Sequence, residues 1–205
     1  MKTLLVDDHA IVRDGLKRLL IDLGVGPIVE ADTGRAAVAL ARTERPELVI
    51  LDLNLPDLGG LEVLSRLLRE DRAVRVLVLT MHAEPLYASR ALQAGAKGYV
   101  SKASSPAEIT AAIQAVARGE GYVEAKVAQA IALGAQTAFD NLSGRDLEIL
   151  RLLAEGRSLG EIAAALGVAY KTAANSCTQL KDKLGVSRTG ELIRMAVEIC
   201  APVGD

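Results

Sequence analysis

The chain has 205 residues, half of them apolar and 24% charged, and its net charge is −2. This length suits one large domain or two ordinary ones, and the composition excludes a disordered or fibrous chain. No apolar run approaches the roughly 20 residues that a membrane helix needs. The first predicted strand begins too early for a signal peptide. The two cysteines, Cys177 and Cys200, have no metal or disulfide spacing. We therefore expect buried thiols in a cytoplasmic protein without membrane contact.

Short apolar runs alternate with longer segments of helical period over the first 118 residues. This alternation predicts five βα units that form a doubly wound parallel sheet with right-handed crossovers. The predicted strands are Leu4–Val6, Ile28–Ala31, Leu48–Asp52, Val74–Leu79 and Gly98–Val100. The predicted helices are Ala10–Leu23, Gly34–Thr43, Gly60–Glu70, Pro85–Ala94 and Pro106–Arg118.

A second, all-helical domain is predicted from residue 141 onward, because the β-branched runs stop there. Two capping-box patterns, Ser143 with Asp146 and Ser158 with Glu161, open its first two helices. Two further helices are predicted at Tyr170–Leu184 and at about Thr189–Cys200, and the short second and third helices form a helix-turn-helix candidate. The sequence therefore divides into domains over 1–118 and 141–205, joined by a linker over 119–140 that has room for a helix.

Three of the predicted strands end in side chains that bind cations or phosphoryl groups. Asp7 and Asp8 follow the first strand, Asp52 ends the third, and Thr80 follows the fourth. The carboxyl ends of parallel strands meet at one edge of a sheet, where such folds bind ligands. Three carboxylates in one place repel each other unless a cation is bound, and all-oxygen ligands suit Mg²⁺.

A carboxylate held near Mg²⁺ can attack a phosphoryl donor and form an acyl phosphate. The oxygens of the transferred group then require a hydroxyl and a cation, which Thr80 and Lys102 provide. Each residue alone has a more ordinary interpretation, since aspartates at strand ends are usually turn formers or helix caps. Their joint occurrence at four strand ends favours a single site.

These positions resemble the receiver domain of bacterial two-component response regulators over residues 1–118. The motifs are Asp7-Asp8-His9, Asp52 with Pro56, Thr80-Met81, and Gly98-Tyr99-Val100-Ser101-Lys102. The resemblance implies a flavodoxin-like (βα)5 fold with strand order 2-1-3-4-5. It also implies that Asp52 accepts phosphate from a sensor kinase histidine.

The same resemblance implies further roles around Asp52. Asp8 would bind Mg²⁺ directly and Asp7 largely through water, and the backbone carbonyl of Asn54 would be another ligand. Thr80 and Tyr99 would form a switch pair, in which the hydroxyl moves to the phosphoryl group and the ring swings inward.

Residues 142–199 resemble the LuxR-type helix-turn-helix domain, and the combination with a receiver is identified as the NarL/FixJ subgroup of response regulators. The resemblance implies that Tyr170–Leu184 is a recognition helix in the major groove and that Thr189–Cys200 makes a dimer contact. The predicted core residues are Leu142, Leu147, Ile149, Leu150, Leu153, Ile162, Ala163, Leu166, Val168, Leu180 and Leu184. The candidate DNA contacts are Lys171, Thr172, Asn175, Thr178, Gln179, Lys181 and Lys183.

The balanced charge of the C-terminal domain limits the DNA affinity expected from one monomer. Residues 141–205 hold 8 basic and 8 acidic residues, so a strong basic footprint is missing. Ala169 stands where the family usually has a Ser or Thr cap, and Ala174 stands where it usually has a lysine. We therefore expect weak binding per monomer, with dimerisation supplying the second half-site.

Three functions are weighed on this basis. The first is a transcription regulator that a sensor histidine kinase phosphorylates on Asp52, and that binds double-stranded DNA as a homodimer when phosphorylated. The second is a response regulator whose degenerate DNA domain acts through protein contacts or as a phosphate sink. The third is an aspartyl phosphatase, which is disfavoured because Asn54 occupies the position of the general acid. We therefore expect no enzyme activity beyond self-phosphorylation and slow self-dephosphorylation.

Overall fold

The structure is a computed structural model and describes residues 1–81, 85–132 and 142–199, over which six strands and ten helices form. The strands are β1 (Thr3–Val6), β2 (Ile28–Ala31), β3 (Leu48–Leu51), β4 (Arg75–Thr80), β5 (Gly98–Ser101) and β6 (Tyr122–Val123). The helices of the N-terminal part are α1 (Ala10–Asp22), α2 (Gly34–Glu44), α3 (Gly60–Glu70), α4 (Pro85–Gln93), α5 (Pro106–Ala117) and α6 (Ala125–Ala132). The helices of the C-terminal part are α7 (Gly144–Ala154), α8 (Leu159–Ala165), α9 (Tyr170–Leu184) and α10 (Thr189–Ile199).

The strands form one parallel sheet in the order β2-β1-β3-β4-β5-β6. This confirms the predicted doubly wound fold and the order 2-1-3-4-5. Because successive side chains of a strand point to opposite faces, Leu48 and Ile50 join one core cluster and Val49 and Leu51 join the other. Both faces are therefore covered, which explains why the central strands are continuous apolar runs.

The sixth strand was not predicted, because it consists of two residues of the expected linker. Tyr122 pairs with Gly98 and Val123 pairs with Tyr99 at the free edge of β5. Gly98 has no room for a side chain among its neighbours. A Cβ there would lie 2.7 Å from both Leu77 Cδ1 and Val116 Cγ2, and 3.2 Å from the Tyr122 carbonyl oxygen of β6. The linker thus begins as part of the sheet.

Several strand bounds differ from the prediction by one residue, and two of these differences concern Asp52 and Thr80 of the predicted site. Asp52 lies just beyond β3, although its N–H still donates to the Val6 carbonyl at 2.9 Å. Thr80 is the last residue of β4 and pairs with Ser101. Differences of this size are usual at the ends of elements, where a single hydrogen bond decides the assignment.

The four C-terminal helices confirm the predicted all-α domain. Both capping boxes are present: the Ser143 hydroxyl accepts from the Asp146 N–H while the Asp146 carboxylate accepts from the Ser143 N–H, and Ser158 and Glu161 repeat the pattern. Eight of the eleven predicted core residues are buried, and Leu166, Val168 and Leu184 are partly buried against them. Cys177 is buried as expected, whereas Cys200 lies outside the described residues.

The C-terminal domain packs on the N-terminal domain through α7. The Tyr87 hydroxyl of α4 donates to the Leu147 carbonyl of α7 at 2.8 Å. A Cβ at Gly144 would lie 3.1 Å from the Leu61 Cβ, so α7 and α3 also approach closely. Within the described ranges, no helix has the length and apolar character to cross a membrane.

Candidate functional site

Asp52 lies at the carboxyl edge of the sheet, on a rigid platform of buried strands. Only 2% of its surface is exposed, and its backbone is tied to β1 through the Val6 carbonyl. Its Oδ1 accepts a hydrogen bond from the Asn54 N–H at 3.1 Å, which turns the chain away from the strand. One carboxylate oxygen therefore organises the following loop, and Oδ2 faces the neighbouring charged groups.

Asp7 and Asp8 follow β1, which lies beside β3. Asp7 is 1% exposed, and its Oδ1 accepts from the His9 N–H at 2.9 Å. Asp8 is more exposed, and its Oδ1 lies 2.6 Å from His9 Nδ1. One candidate ligand atom from each of Asp7, Asp8, His9 and Asp52 lies within 4.8 Å of the others. The parallel register of the two strands therefore gathers the predicted carboxylates around one point.

Lys102 enters this cluster from the turn after β5. Its Nζ lies 2.6 Å from Asp52 Oδ2 and 2.6 Å from Asp7 Oδ2, and its side chain is 8% exposed. Burial alone would lower the pKa of Lys102, but the hydrogen bonds and charges of Asp52 and Asp7 outweigh it and raise the pKa above 10.5. Lys102 is therefore the cation that balances the two buried carboxylates.

Thr80 and Tyr99 lie on β4 and β5, the two strands between β3 and the β6 edge of the sheet. Thr80 is fully buried at the end of β4, and the Thr80 carbonyl accepts from the Lys102 N–H at 2.8 Å. Tyr99 pairs with Val78 in the middle of the sheet, and its ring is also fully buried. The Tyr99 ring thus lies inside the protein.

Helix α9 carries the candidate DNA contacts on its outward face. Ala173, Cys177 and Leu180 turn inward at helical spacing. The outward or partly exposed residues are Lys171, Thr172, Asn175, Thr178, Gln179 and Lys181. Ala169 precedes the helix in an extended conformation and makes no side-chain cap, as the sequence indicates. Lys183 is exposed as well, so all seven predicted contacts are exposed or partly exposed.

The seventh candidate, Lys183, has a structural partner that the sequence did not indicate. Its Nζ binds the Asp146 carboxylate, which also belongs to the capping box of α7. Burial would raise the pKa of Asp146, but hydrogen bonds from Lys183 and Ser143 outweigh it and lower the pKa below 3.8. Lys183 thereby fastens the end of α9 to the start of α7.

Comparison with known proteins supplies the family of both domains. Residues 3–114 match the response regulator receiver domain, and residues 140–196 match the luxR family of bacterial regulatory proteins. The chain is a response regulator with a LuxR-type DNA-binding domain. The response regulator is 34% identical over 204 residues to Response regulator UvrY of Escherichia coli K12, covering 96% of this chain and 94% of the relative. It is also 34% identical to Response regulator GacA of Pseudomonas aeruginosa, covering 96% and 95%.

A solved structure extends the similarity over both domains of the response regulator. RcsB of Salmonella enterica serovar Typhimurium, bound to a promoter in the presence of the phosphomimetic BeF3⁻, has a TM-score of 0.72 and 27% identity. The match covers 97% of this chain and 99% of RcsB. The predicted family is confirmed, and the alternative of a degenerate DNA-binding domain is not favoured.

Two contributors to the pocket were missed by the sequence reasoning. The Arg13 guanidinium donates to the Asp7 carbonyl at 2.7 Å and lies 3.6 Å from Glu30 of β2, so it fixes the end of β1. Glu124, from the segment after the receiver, binds the turn that carries Lys102. Neither contact has a sequence signal, because Arg13 reaches Asp7 and Glu30 only after α1 has folded back on the sheet, and Glu124 is some 20 residues from the turn that it binds.

Proposed function

We propose that Asp52 of this response regulator is the phosphoacceptor and that a phosphohistidine of a sensor kinase is the donor. The observation that carries the proposal is the convergence of Asp7, Asp8 and Asp52 on one point, with Lys102 bound to two of them. Buried carboxylates beside one buried ammonium suit transfer of a group whose charge is spread over several oxygens.

The donor set of this pocket fits Mg²⁺. Asp7, Asp8 and Asp52 offer carboxylate oxygens, and we assign the Asn54 backbone carbonyl as a further ligand. When bound, Mg²⁺ supplies positive charge that offsets the carboxylates and the transferred phosphoryl oxygens. Asp8 is the most accessible of the three carboxylates, which favours it as a direct ligand.

The transfer itself is a substitution at phosphorus. A carboxylate oxygen of Asp52 forms a bond to phosphorus while the phosphorus–nitrogen bond of the donor breaks. The imidazole nitrogen of the donor keeps the bonding electron pair and takes a proton from solvent. Lys102 exchanges its ion pair with Asp52 for one with a phosphoryl oxygen, and the Thr80 hydroxyl donates a hydrogen bond to another phosphoryl oxygen.

Reversal by water is proposed to be slow, so the response regulator is no enzyme in the ordinary sense. An aspartyl phosphatase needs a general acid two residues after the nucleophile, and this chain has Asn54 there. A carboxamide is not acidic enough to act as a general acid near neutral pH. The acyl phosphate therefore persists as a signal until self-dephosphorylation removes it.

The output proposed for this signal is binding of double-stranded DNA by a homodimer. Helix α9 would enter the major groove with Asn175 and Gln179 near base edges and Lys171 near phosphates. Ile193 and Val197 are exposed apolar residues on α10, which supports a dimer contact there. A solved RcsB assembly contains two dimers on two parallel DNAs. Because its DNA target is genomic, we place the response regulator in the cytoplasm.

One experiment tests the phosphoacceptor and the output together. The chain is incubated with phosphoramidate and Mg²⁺, and peptide mass spectrometry locates the phosphoryl group. We expect a single modification on Asp52, its absence in Asp52→Asn, and enrichment of an inverted repeat from genomic DNA only after phosphorylation. Modification of Asp52→Asn to the wild-type extent would refute the site assignment.

A further inference from the structure

The segment that joins the two domains is hydrogen-bonded to β5, the strand that precedes Lys102. The Tyr122 N–H donates to the Lys97 carbonyl at 3.0 Å, and the Glu124 N–H donates to the Tyr99 carbonyl at 3.2 Å. These bonds belong to the β5–β6 ladder, so β6 covers the edge of the strand that precedes Lys102.

The next donor along this edge is the Ser101 N–H, and it finds an unusual acceptor. Ser101 is 5% exposed, so an unmade hydrogen bond there would be costly. The Glu124 carbonyl does not continue the ladder and accepts instead from the Ala128 N–H as α6 begins. The Glu124 carboxylate takes its place and accepts from the Ser101 N–H at 3.1 Å and from the Ser104 hydroxyl at 2.8 Å.

Ser101 and Ser104 bracket Lys102 in the turn after β5. The Ser104 N–H also closes the turn onto the Ser101 carbonyl at 3.1 Å, and the Lys102 N–H donates to Thr80 on the opposite side. The turn is thus held from β4 on one side and from Glu124 on the other. From this turn, which is fixed on both sides, Lys102 reaches both Asp7 and Asp52.

We propose that Glu124 is a positioning residue of the phosphorylation site, acting through the turn that carries Lys102. The proposal rests on the proposed function of Asp52 and Lys102. It makes the interdomain segment part of the site, although Glu124 lies beyond the residues that match the receiver family. A shift of Lys102 toward a phosphoryl oxygen and the docking of β6 and α6 then depend on the same carboxylate.

The test measures the rate of Asp52 phosphorylation by phosphoramidate over a range of Mg²⁺ concentrations. Glu124→Ala removes both hydrogen bonds, and Glu124→Gln keeps the shape and one strong acceptor. Glu120→Gln is the matched control, because this carboxylate lies in the same segment but pairs with the exposed Arg118. Circular dichroism and thermal unfolding of each variant establish that it is folded.

We expect Glu124→Ala to lower the rate at saturating Mg²⁺ by roughly tenfold, since small displacements of a charged group are costly in phosphoryl transfer. Glu124→Gln should lose less, and Glu120→Gln should match the wild type. The Mg²⁺ concentration that gives half the maximal rate should stay unchanged, because the metal-binding carboxylates are untouched. Should Glu124→Ala unfold, Ser104→Ala removes one of the two hydrogen bonds and should show a smaller loss of the same kind.

A double-mutant cycle separates positioning of Lys102 from a general structural role. In the Lys102→Met background, Glu124→Ala should have no further effect on the rate. An equal loss in both backgrounds, or a wild-type rate for Glu124→Ala, overturns the proposal. If the wild type gains no phosphoryl group on Asp52, the proposed function itself fails, which is a different result.

Discussion

The Tyr87 hydroxyl of the receiver donates a hydrogen bond to the Leu147 carbonyl of the DNA-binding domain, with the two oxygens 2.8 Å apart. Both residues are buried. The loop after Asp52 contributes Asn54 and Gly59 to a small cavity that Tyr87 and Glu148 also line. The first helix of the DNA-binding domain therefore lies against the loop that follows Asp52.

Loss of the Tyr87 hydroxyl should loosen the contact between the domains. For Tyr87→Phe we expect the docking of α7 to weaken by about 1 kcal/mol, the usual contribution of one hydrogen bond. Amide hydrogen exchange in α7 should rise, while exchange in the central strands should not change. Tyr170→Phe, at an exposed tyrosine of α9, is the control. Unchanged exchange in α7 would show that docking does not depend on this bond.

Removal of the Lys102 cation should destabilise the receiver and strengthen its response to Mg²⁺. In Lys102→Met, Asp7 and Asp52 face each other without their buried partner, and we expect a loss of about 3 kcal/mol without metal. Added Mg²⁺ should then raise the melting temperature more than in the wild type, because binding to the folded state is no longer opposed by the ammonium.

Thermal unfolding at increasing Mg²⁺ concentration measures this difference. Lys97→Met, at an exposed lysine just before β5, serves as the control and should respond like the wild type. An equal Mg²⁺ response in Lys102→Met and the wild type would mean that Lys102 and the metal do not compete for the same carboxylates.

The Asp146–Lys183 pair should make the stability of the DNA-binding domain sensitive to acid. The folded-state pKa of Asp146 is lowered, so its contribution is present above the unfolded value of 3.8 and is lost as pH falls through the folded value. Asp146→Asn should therefore cost about 2 kcal/mol at neutral pH, with the capping box weakened. The difference between the wild type and this variant should shrink below pH 3.8.

Urea unfolding at neutral and acidic pH checks this prediction, and comparison with the variant cancels the titration of other carboxylates. A difference that stays constant down to the lowest pH would assign the effect to shape rather than to charge. Lys183→Met should reproduce the neutral-pH loss in part, since it removes the ion pair and leaves the Ser143 hydrogen bonds.

A serine at position 169 should stabilise the recognition helix. Ala169 is exposed and extended, with φ −66° and ψ 148°, which is the backbone geometry of a capping residue. Ala169→Ser should raise the free energy of unfolding by about 1 kcal/mol. Ala164→Ser, at an exposed position within α8, should instead lower it slightly, because serine is a weaker helix former than alanine. Urea unfolding of the two variants gives the comparison.

Local patterns in the sequence predicted most of the fold and much of the pocket. The apolar runs identified the five strands, and Asp7, Asp8 and Asp52 were placed together because parallel strands end at one edge. Both capping boxes were also visible as short motifs. Such features depend on a residue and its near neighbours, so the sequence alone contains them.

The tertiary structure decided the contacts that join distant parts of the chain. Tyr122 and Val123 form a strand only because the edge of β5 offers them hydrogen bonds, and Glu124 binds the Lys102 turn only because that strand ends there. Lys183 is one of the predicted DNA contacts on α9, and folding also brings its ammonium to Asp146. A two-residue strand or a single charged side chain has no periodicity of its own, so its partner is fixed only when the chain has folded.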